Sequence, residues 1–196
     1  MHAELARSRL VIVPGLVDEQ LAHTLYHVLL LRSWRGEVKH DRQAPAADSH
    51  WGDATLDAAL LILKVKIEEV SGCRLLPTYA YARLYFQGDA LARHRDRASC
   101  QIAATIHLGA TGGRASPIWF EPDIAVIQRP GDAVVYLGDS IDHWREPFDG
   151  ESFGQLFLNY VFADGVRADL IHDGRRGAFP PSLTTPLGVG MPACSL

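Results

Sequence analysis

Residues 78–96 read TYAYARLYFQGDALARHRD, and the fold turns on them. Tyr79, Tyr81, Arg83 and Tyr85 alternate with Ala80, Ala82, Leu84 and Phe86, the period of a strand with two unlike faces. One face is aromatic and polar and the other apolar. After the Gly88-Asp89 turn, a second short run ends in His94-Arg95-Asp96, where alternation puts His94 and Asp96 on one side and Arg95 on the other. The inward-apolar rule would place the tyrosine and arginine face in solvent, whereas a strand lining a polar barrel cavity reverses it.

The same texture continues downstream, with short runs rich in Tyr, Val, Ile, Phe and Thr cut by Gly-Asp, Gly-Gly and Pro-Gly turns. Strands are expected near 78–87, 91–96, 101–109, 117–121, 124–129, 132–137, 141–145 and 154–163. Upstream, Asp18 caps a helix with Leu21, Ala22, Leu25, Val28 and Leu29 at helical spacing, ending near Ser33. The stretch from Trp34 to Gly52, with Lys39, His40, Asp41, Arg42, Pro45 and Asp48, has no sustained period and reads as a long loop or a broken edge strand. A second helix starts at Asp53 or Thr55, carries Leu56, Leu60, Leu63, Ile67 and Val70 on one face, and stops at Gly72. Eight short strands after two helices suit a mainly β fold with flanking helices, a double-stranded β-helix of the jelly-roll or cupin-like kind. The expected organisation is one domain, with a mostly helical part over 1–77, the jelly-roll core over 78–163, and a tail or strap over 164–196.

A chain of 196 residues with 47% hydrophobic content can bury one sizeable core. A formal net charge of -4 leaves no basic surplus for a phosphate backbone, so nucleic acid is not expected as a partner. The apolar run Leu10 to Val13 is too brief for a signal segment, and no stretch approaches a membrane span, which suggests a cytoplasmic protein without membrane partners. Cys73, Cys100 and Cys194 are odd in number and show no C-x-x-C pairing, so neither a disulfide framework nor a zinc site is expected. Oligomeric state is not legible.

His143 lies 47 residues after Asp96, in a second strand-like segment, Asp139 to Arg145, that follows the Pro130-Gly131 turn and the apolar strand Ala133 to Leu137. Two distant strands of a jelly roll can converge, which would bring His94, Asp96 and His143 to one metal. Two imidazoles and one carboxylate leave three adjacent positions open, the arrangement for non-haem Fe(II) that binds a co-substrate and O2 together. The carboxylate argues against halogenation, in which a small residue replaces that ligand.

Tyr85, then Gly88, then His94-Arg95-Asp96 resembles the Tyr…Gly…His-x-Asp stretch of prolyl-4-hydroxylase-like Fe(II)/2-oxoglutarate oxygenases. The segments Pro77 to Tyr85 and His143-Trp144-Arg145-Glu146-Pro147 also resemble a small bacterial and phage subgroup, and the likeness covers about residues 55 to 162. It implies a double-stranded β-helix with iron ligands and catalytic centre at His94, Asp96 and His143, 2-oxoglutarate and O2 as co-substrates, and contact between Tyr85 and 2-oxoglutarate. The activity implied is hydroxylation or desaturation of an unactivated C–H bond, with succinate and CO2 as by-products. The expected substrate is a small metabolite, an amino acid or a peptidyl intermediate. A protein prolyl or other side-chain hydroxylase, a cupin-like metalloenzyme without 2-oxoglutarate and a metal-free binding protein are the alternatives.

One departure matters, since members place an Arg or Lys ten to twelve residues past the distal histidine to hold the far carboxylate of 2-oxoglutarate. Here Phe153, Gly154 and Gln155 stand there. A buried carboxylate needs a cationic or multiply hydrogen-bonding partner. Arg145, on the face of His143, and Arg83, in phase with Tyr85, are the candidates, with Gln155 as a neutral aid; a surface pair of Arg145 with Glu146 or Asp142 is the rival reading. Tyr81, Arg97 and Trp51 are candidate substrate contacts. His107 is the rival ligand, although a lone strand histidine is more often structural, and it stays unassigned; His40, His50 and Trp51 fit either a lid near the cavity mouth or a solvated loop.

Overall fold

The computed structural model describes residues 2–113 and 116–180. Its elements are α1 (His2–Ser8), β1 (Leu10–Val13), α2 (Glu19–Trp34), β2 (Asp48–Trp51), α3 (Ala54–Ser71), β3 (Leu75–Phe86), β4 (Leu91–His94), β5 (Ile102–Thr111), β6 (Ile118–Phe120), β7 (Ile124–Val126), β8 (Ala133–Tyr136), β9 (His143–Arg145) and β10 (Ser152–Phe162). Among the described residues they form a six-stranded antiparallel sheet, β1-β8-β5-β10-β3-β2, facing a four-stranded one, β4-β9-β6-β7. This is the jelly roll expected, and each of the eight expected strands is present with ends shifted by a few residues. No described helix is long and apolar enough to cross a membrane.

The residues before 78 hold more sheet than expected. Leu10 to Val13 pairs with β8 as one edge, and Asp48–Trp51 pairs with β3 as the other, so the irregular stretch ends in an edge strand. Beyond Asp164 the chain passes through a short 3-10 segment, Ala168–Gly174, and is tied to the rest of the molecule by ion pairs. Arg167 pairs with Asp139, Asp173 takes Arg97, and Arg175 reaches Asp57 at 2.7 Å and the Thr78 carbonyl at 3.3 Å. The rest of the expected tail, 181–196 with Cys194, lies outside the described residues. Cys100 is a buried free thiol.

The helices start and stop where side-chain chemistry sets them. Asp18 accepts the Leu21 N–H at 2.8 Å, Asp53 accepts those of Thr55 and Leu56, and Gly72 ends α3 in the left-handed region at φ 70°. Leu25 and Leu29 of α2 and Leu56, Leu60, Leu63 and Ile67 of α3 bury against Ala80, Ala82, Leu84, Ile106, Leu156 and Leu158. Each such large side chain contributes about 1.5–3 kcal/mol on leaving water. Contact between α2 and the sheet is close because Gly109 and Gly154 pair across β5 and β10; a Cβ on either would stand 2.7 Å from the Tyr26 ring. Tyr26 packs against this bare patch, and its hydroxyl reaches Ser152 Oγ at 2.6 Å.

Candidate active site

β4 and β9 pair antiparallel with His94 opposite His143, and Asp96 follows two residues past the end of β4. Asp96 is fixed by its backbone N–H, which donates to the Gly138 carbonyl at 2.9 Å. One ligand atom from each of His94, Asp96 and His143 lies within 4.8 Å of the others. Asp96 Oδ1 is 3.5 Å from His94 Nε2 and 3.7 Å from His143 Nε2. His94 Nδ1 contacts the Ala92 carbonyl at 2.8 Å and His143 Nδ1 the Ile141 carbonyl at 3.2 Å. A carbonyl only accepts, so each Nδ1 carries the proton and each Nε2 presents a lone pair to the common point, the carbonyl-oriented tautomer of a metal-binding histidine. Burial, with help from His94 and Arg145, lowers the pKa of His143 against the opposing charge of Asp96, and so favours the neutral ring a cation needs.

A cavity of about 380 Å³ opens beside the three residues, lined among others by Trp51, Tyr79, Tyr81, Arg83, Arg97 and Phe157. The tyrosine and arginine face of β3 therefore looks inward. Arg83 is not free there: it donates to Asp41 at 2.5 Å and to Gln43 at 2.9 Å, both on the segment 35–47. Asp41 also accepts from Tyr81 and from the Gln43 and Ala44 N–H groups. Burial alone would raise Asp41, but Tyr81 and Arg83 outweigh it and hold it at about 2.

Arg145 is different. It is 3% exposed, donates one bond to the Ser116 carbonyl, stacks over Phe153 at 5.1 Å, and has Nε and Nη2 buried without a partner. The rival surface pair does not form, because Asp142 takes Arg93 and Arg95, and Glu146 takes Trp144. Burial pulls Arg145 down to about 10, with Arg83 adding to the effect, which leaves it charged at neutral pH. Tyr85, 1% exposed, likewise has a buried hydroxyl without a partner. Gln155 is committed elsewhere, accepting from Thr105 at 2.8 Å and contacting His107 at 3.3 Å. His107 stacks on Phe153 at 4.4 Å and is a packed structural histidine.

No family model matches the sequence, and no curated protein matches it. Solved structures do. A Pseudomonas putida prolyl-4-hydroxylase matches with a TM-score of 0.61 at 18% identity, over 80% of this chain and 95% of its own. The non-haem α-ketoglutarate-dependent epimerase SnoN from nogalamycin biosynthesis matches at 0.67 with 16% identity, over 83% of this chain and 81% of its own. SnoK, a carbocyclase of the same dependence and biosynthesis, matches at 0.62 with 13% identity over 97% and 93%. The chain has the fold of these oxygenases.

Within this oxygenase fold, the residues singled out from sequence divide by position. His94, Asp96 and His143 come together; Tyr81, Arg83, Arg97 and Trp51 line the open cavity; Tyr85, Arg145 and Gln155 are buried. Arg97 stacks over Tyr79 at 4.4 Å and pairs with Asp173 at 2.7 Å. Sequence reasoning missed Phe157 and Asn159 on the cavity wall, although alternation from Gln155 through β10 carries both to that side. It also missed Asp41 and Gln43, for which nothing local signals a partner some forty residues on. Tyr136, at the end of the apolar strand Ala133 to Leu137, lines the cavity as well and was not singled out.

Proposed function

We propose that this protein is a non-haem Fe(II)- and 2-oxoglutarate-dependent oxygenase that hydroxylates or desaturates a C–H bond of a small molecule, an amino acid or a peptidyl intermediate. The observation that carries the reading is one pairing: a pre-aimed set of two imidazoles and a carboxylate, and near it a buried guanidinium with two unpaired N–H groups. An unpaired buried charge is strongly disfavoured, so Arg145 calls for an anion. Both halves fit a dicarboxylate that meets a metal at one end and a cation at the other.

When bound, iron and 2-oxoglutarate supply the oxidising chemistry, in which O2 is consumed, 2-oxoglutarate leaves as succinate and CO2, and a substrate C–H bond is oxidised. His94 Nε2, His143 Nε2 and Asp96 Oδ1 would hold the iron on one side, leaving the opposite side to the co-substrates. Arg145 would take the far carboxylate through Nε and Nη2, the two-pronged geometry in which guanidinium binds carboxylate best, with the Tyr85 hydroxyl as a further donor. Phe148 and Phe153 pack against Tyr85 and keep that end dry. Arg83, already neutralised by Asp41, would shape the wall instead of holding the co-substrate. Trp51, Tyr81 and Phe157 offer an apolar flank for the substrate and Arg97 a polar one, in a space sized for a small molecule or a single side chain.

Anaerobic titration with Fe(II), with and without 2-oxoglutarate, tests this. A weak visible charge-transfer band that needs protein, iron and 2-oxoglutarate, and is lost in Asp96→Ala, is the expected result. Iron binding without the band would favour a cupin-like enzyme, and no iron binding would refute the reading.

A further inference from the structure

The two carboxylate oxygens of Asp96 have different surroundings. Oδ1 faces both Nε2 atoms. Oδ2 faces β8 and the turn after it: the Tyr136 hydroxyl lies 3.4 Å away, and Gly138 approaches so closely that a Cβ there would stand 2.7 Å from Oδ2 and 2.6 Å from the Cys100 carbonyl. Tyr136 is 2% exposed, so its phenol has little access to water. Its other neighbour is His143 Nε2, at 3.5 Å. The hydroxyl has one proton and two acceptors in reach, and one of these is an atom that a cation would claim. Once Nε2 is taken, Asp96 Oδ2 is the acceptor that remains.

We propose that Tyr136 is a positioning residue that makes Asp96 bind a cation through Oδ1 alone. The inference rests on the metal centre proposed above and goes beyond it. A carboxylate can close on a cation with both oxygens, and here that would take up one of the positions a chelating keto acid and O2 need. Tyr136 prevents this by occupying Oδ2 with a hydrogen bond that forms fully when the cation binds His143. Gly138 completes the arrangement, since the absence of a side chain lets the carboxylate lie back against the turn. Partners of this kind orient metal ligands, and their loss typically weakens metal binding about 10–100-fold.

The test is Tyr136→Phe, which keeps the ring and its packing, titrated anaerobically with Co(II) as an optical stand-in for iron. The expected outcome is about tenfold weaker Co(II) binding, together with a weaker and shifted visible absorption as the second oxygen raises the coordination number. Binding of 2-oxoglutarate to the Co(II) form should weaken in parallel. A purely structural tyrosine would lower the melting temperature of the metal-free protein and leave the Co(II) spectrum alone. Gly138→Ala crowds the same oxygen and should also shift the spectrum, which keeps the test open if one variant does not fold. Wild-type affinity and spectrum in a folded variant overturn the proposal. A wild-type protein that binds no Co(II), or binds it unaffected by Asp96→Ala, overturns the metal centre itself, which is a separate failure.

Discussion

The two faces of the six-stranded sheet are built from the same strands, and their chemistry differs at every step. On the helix side, Ala80, Ala82 and Leu84 of β3, Ile106 and Leu108 of β5, and Leu156 and Leu158 of β10 belong to one apolar cluster with α2 and α3. On the cavity side, one residue along, stand Tyr79, Tyr81, Arg83 and Tyr85, Thr105 and His107, and Gln155, Phe157 and Asn159, paired in register as Tyr81 with Phe157 and Arg83 with Gln155. Period two has separated stability from chemistry. The helix side can be close-packed because it contains little that needs a partner. The cavity side keeps its polar groups buried by tying most to one another; the Tyr85 hydroxyl is left without a partner, as are Nε and Nη2 of Arg145 on β9 of the facing sheet.

That division can be broken from either side. The largest effect is expected from Leu156→Ala on the helix face: a loss of about 2–5 kcal/mol, as for other buried leucines truncated in a packed core. It is read from denaturant midpoints, with metal affinity of the folded protein unchanged. Next is acid. Burial, helped by Arg145, pulls the pKa of His107 from 6.5 down to about 4, so the unfolded chain takes up this proton before the folded one does. The stabilisation is complete above pH 6.5 and is lost as pH falls to 4, at most about 3 kcal/mol. His107→Gln should remove this share from the acid limb of a stability–pH curve.

A third variant, Arg145→Met, sharpens the contrast. It should weaken 2-oxoglutarate binding about 10–100-fold while leaving metal affinity unchanged and stability equal or higher, because an apolar side chain replaces a buried, half-satisfied charge. Calorimetric titration beside a thermal melt would decide it; a large fall in melting temperature would mean that Arg145 is structural. The smallest effect is expected from Tyr81→Phe, about 1 kcal/mol of stability measured in denaturant, since Arg83 and two backbone N–H groups still hold Asp41.

Alternation made the central strands legible, and Asp18, Asp53 and Gly72 marked the helix ends. β1 was hidden because Leu10 to Val13 is four apolar residues with no alternation, and its partner Tyr136 lies far along the chain. β2 was hidden because Asp48 to Trp51 is polar and finds its place only against β3. The three candidate ligands were readable from their strand phase, whereas the difference in pairing between Arg83 and Arg145 was not. It depends on Asp41 and Gln43 reaching across to Arg83, a contact made by the fold and absent from any local pattern. Tyr136 gave no signal because a phenol closing an apolar strand looks like core.

The Nδ1–carbonyl contacts of His94 and His143 have a consequence for supply. Nitrogen and oxygen donors aimed in advance accept whichever divalent ion fits, and for such sites zinc and copper bind more tightly than ferrous iron. On the function proposed, occupancy in a cell would follow which ions are abundant. Protein produced in zinc-rich medium would then be folded, fully loaded and catalytically silent until a chelator cleared it and Fe(II) took its place.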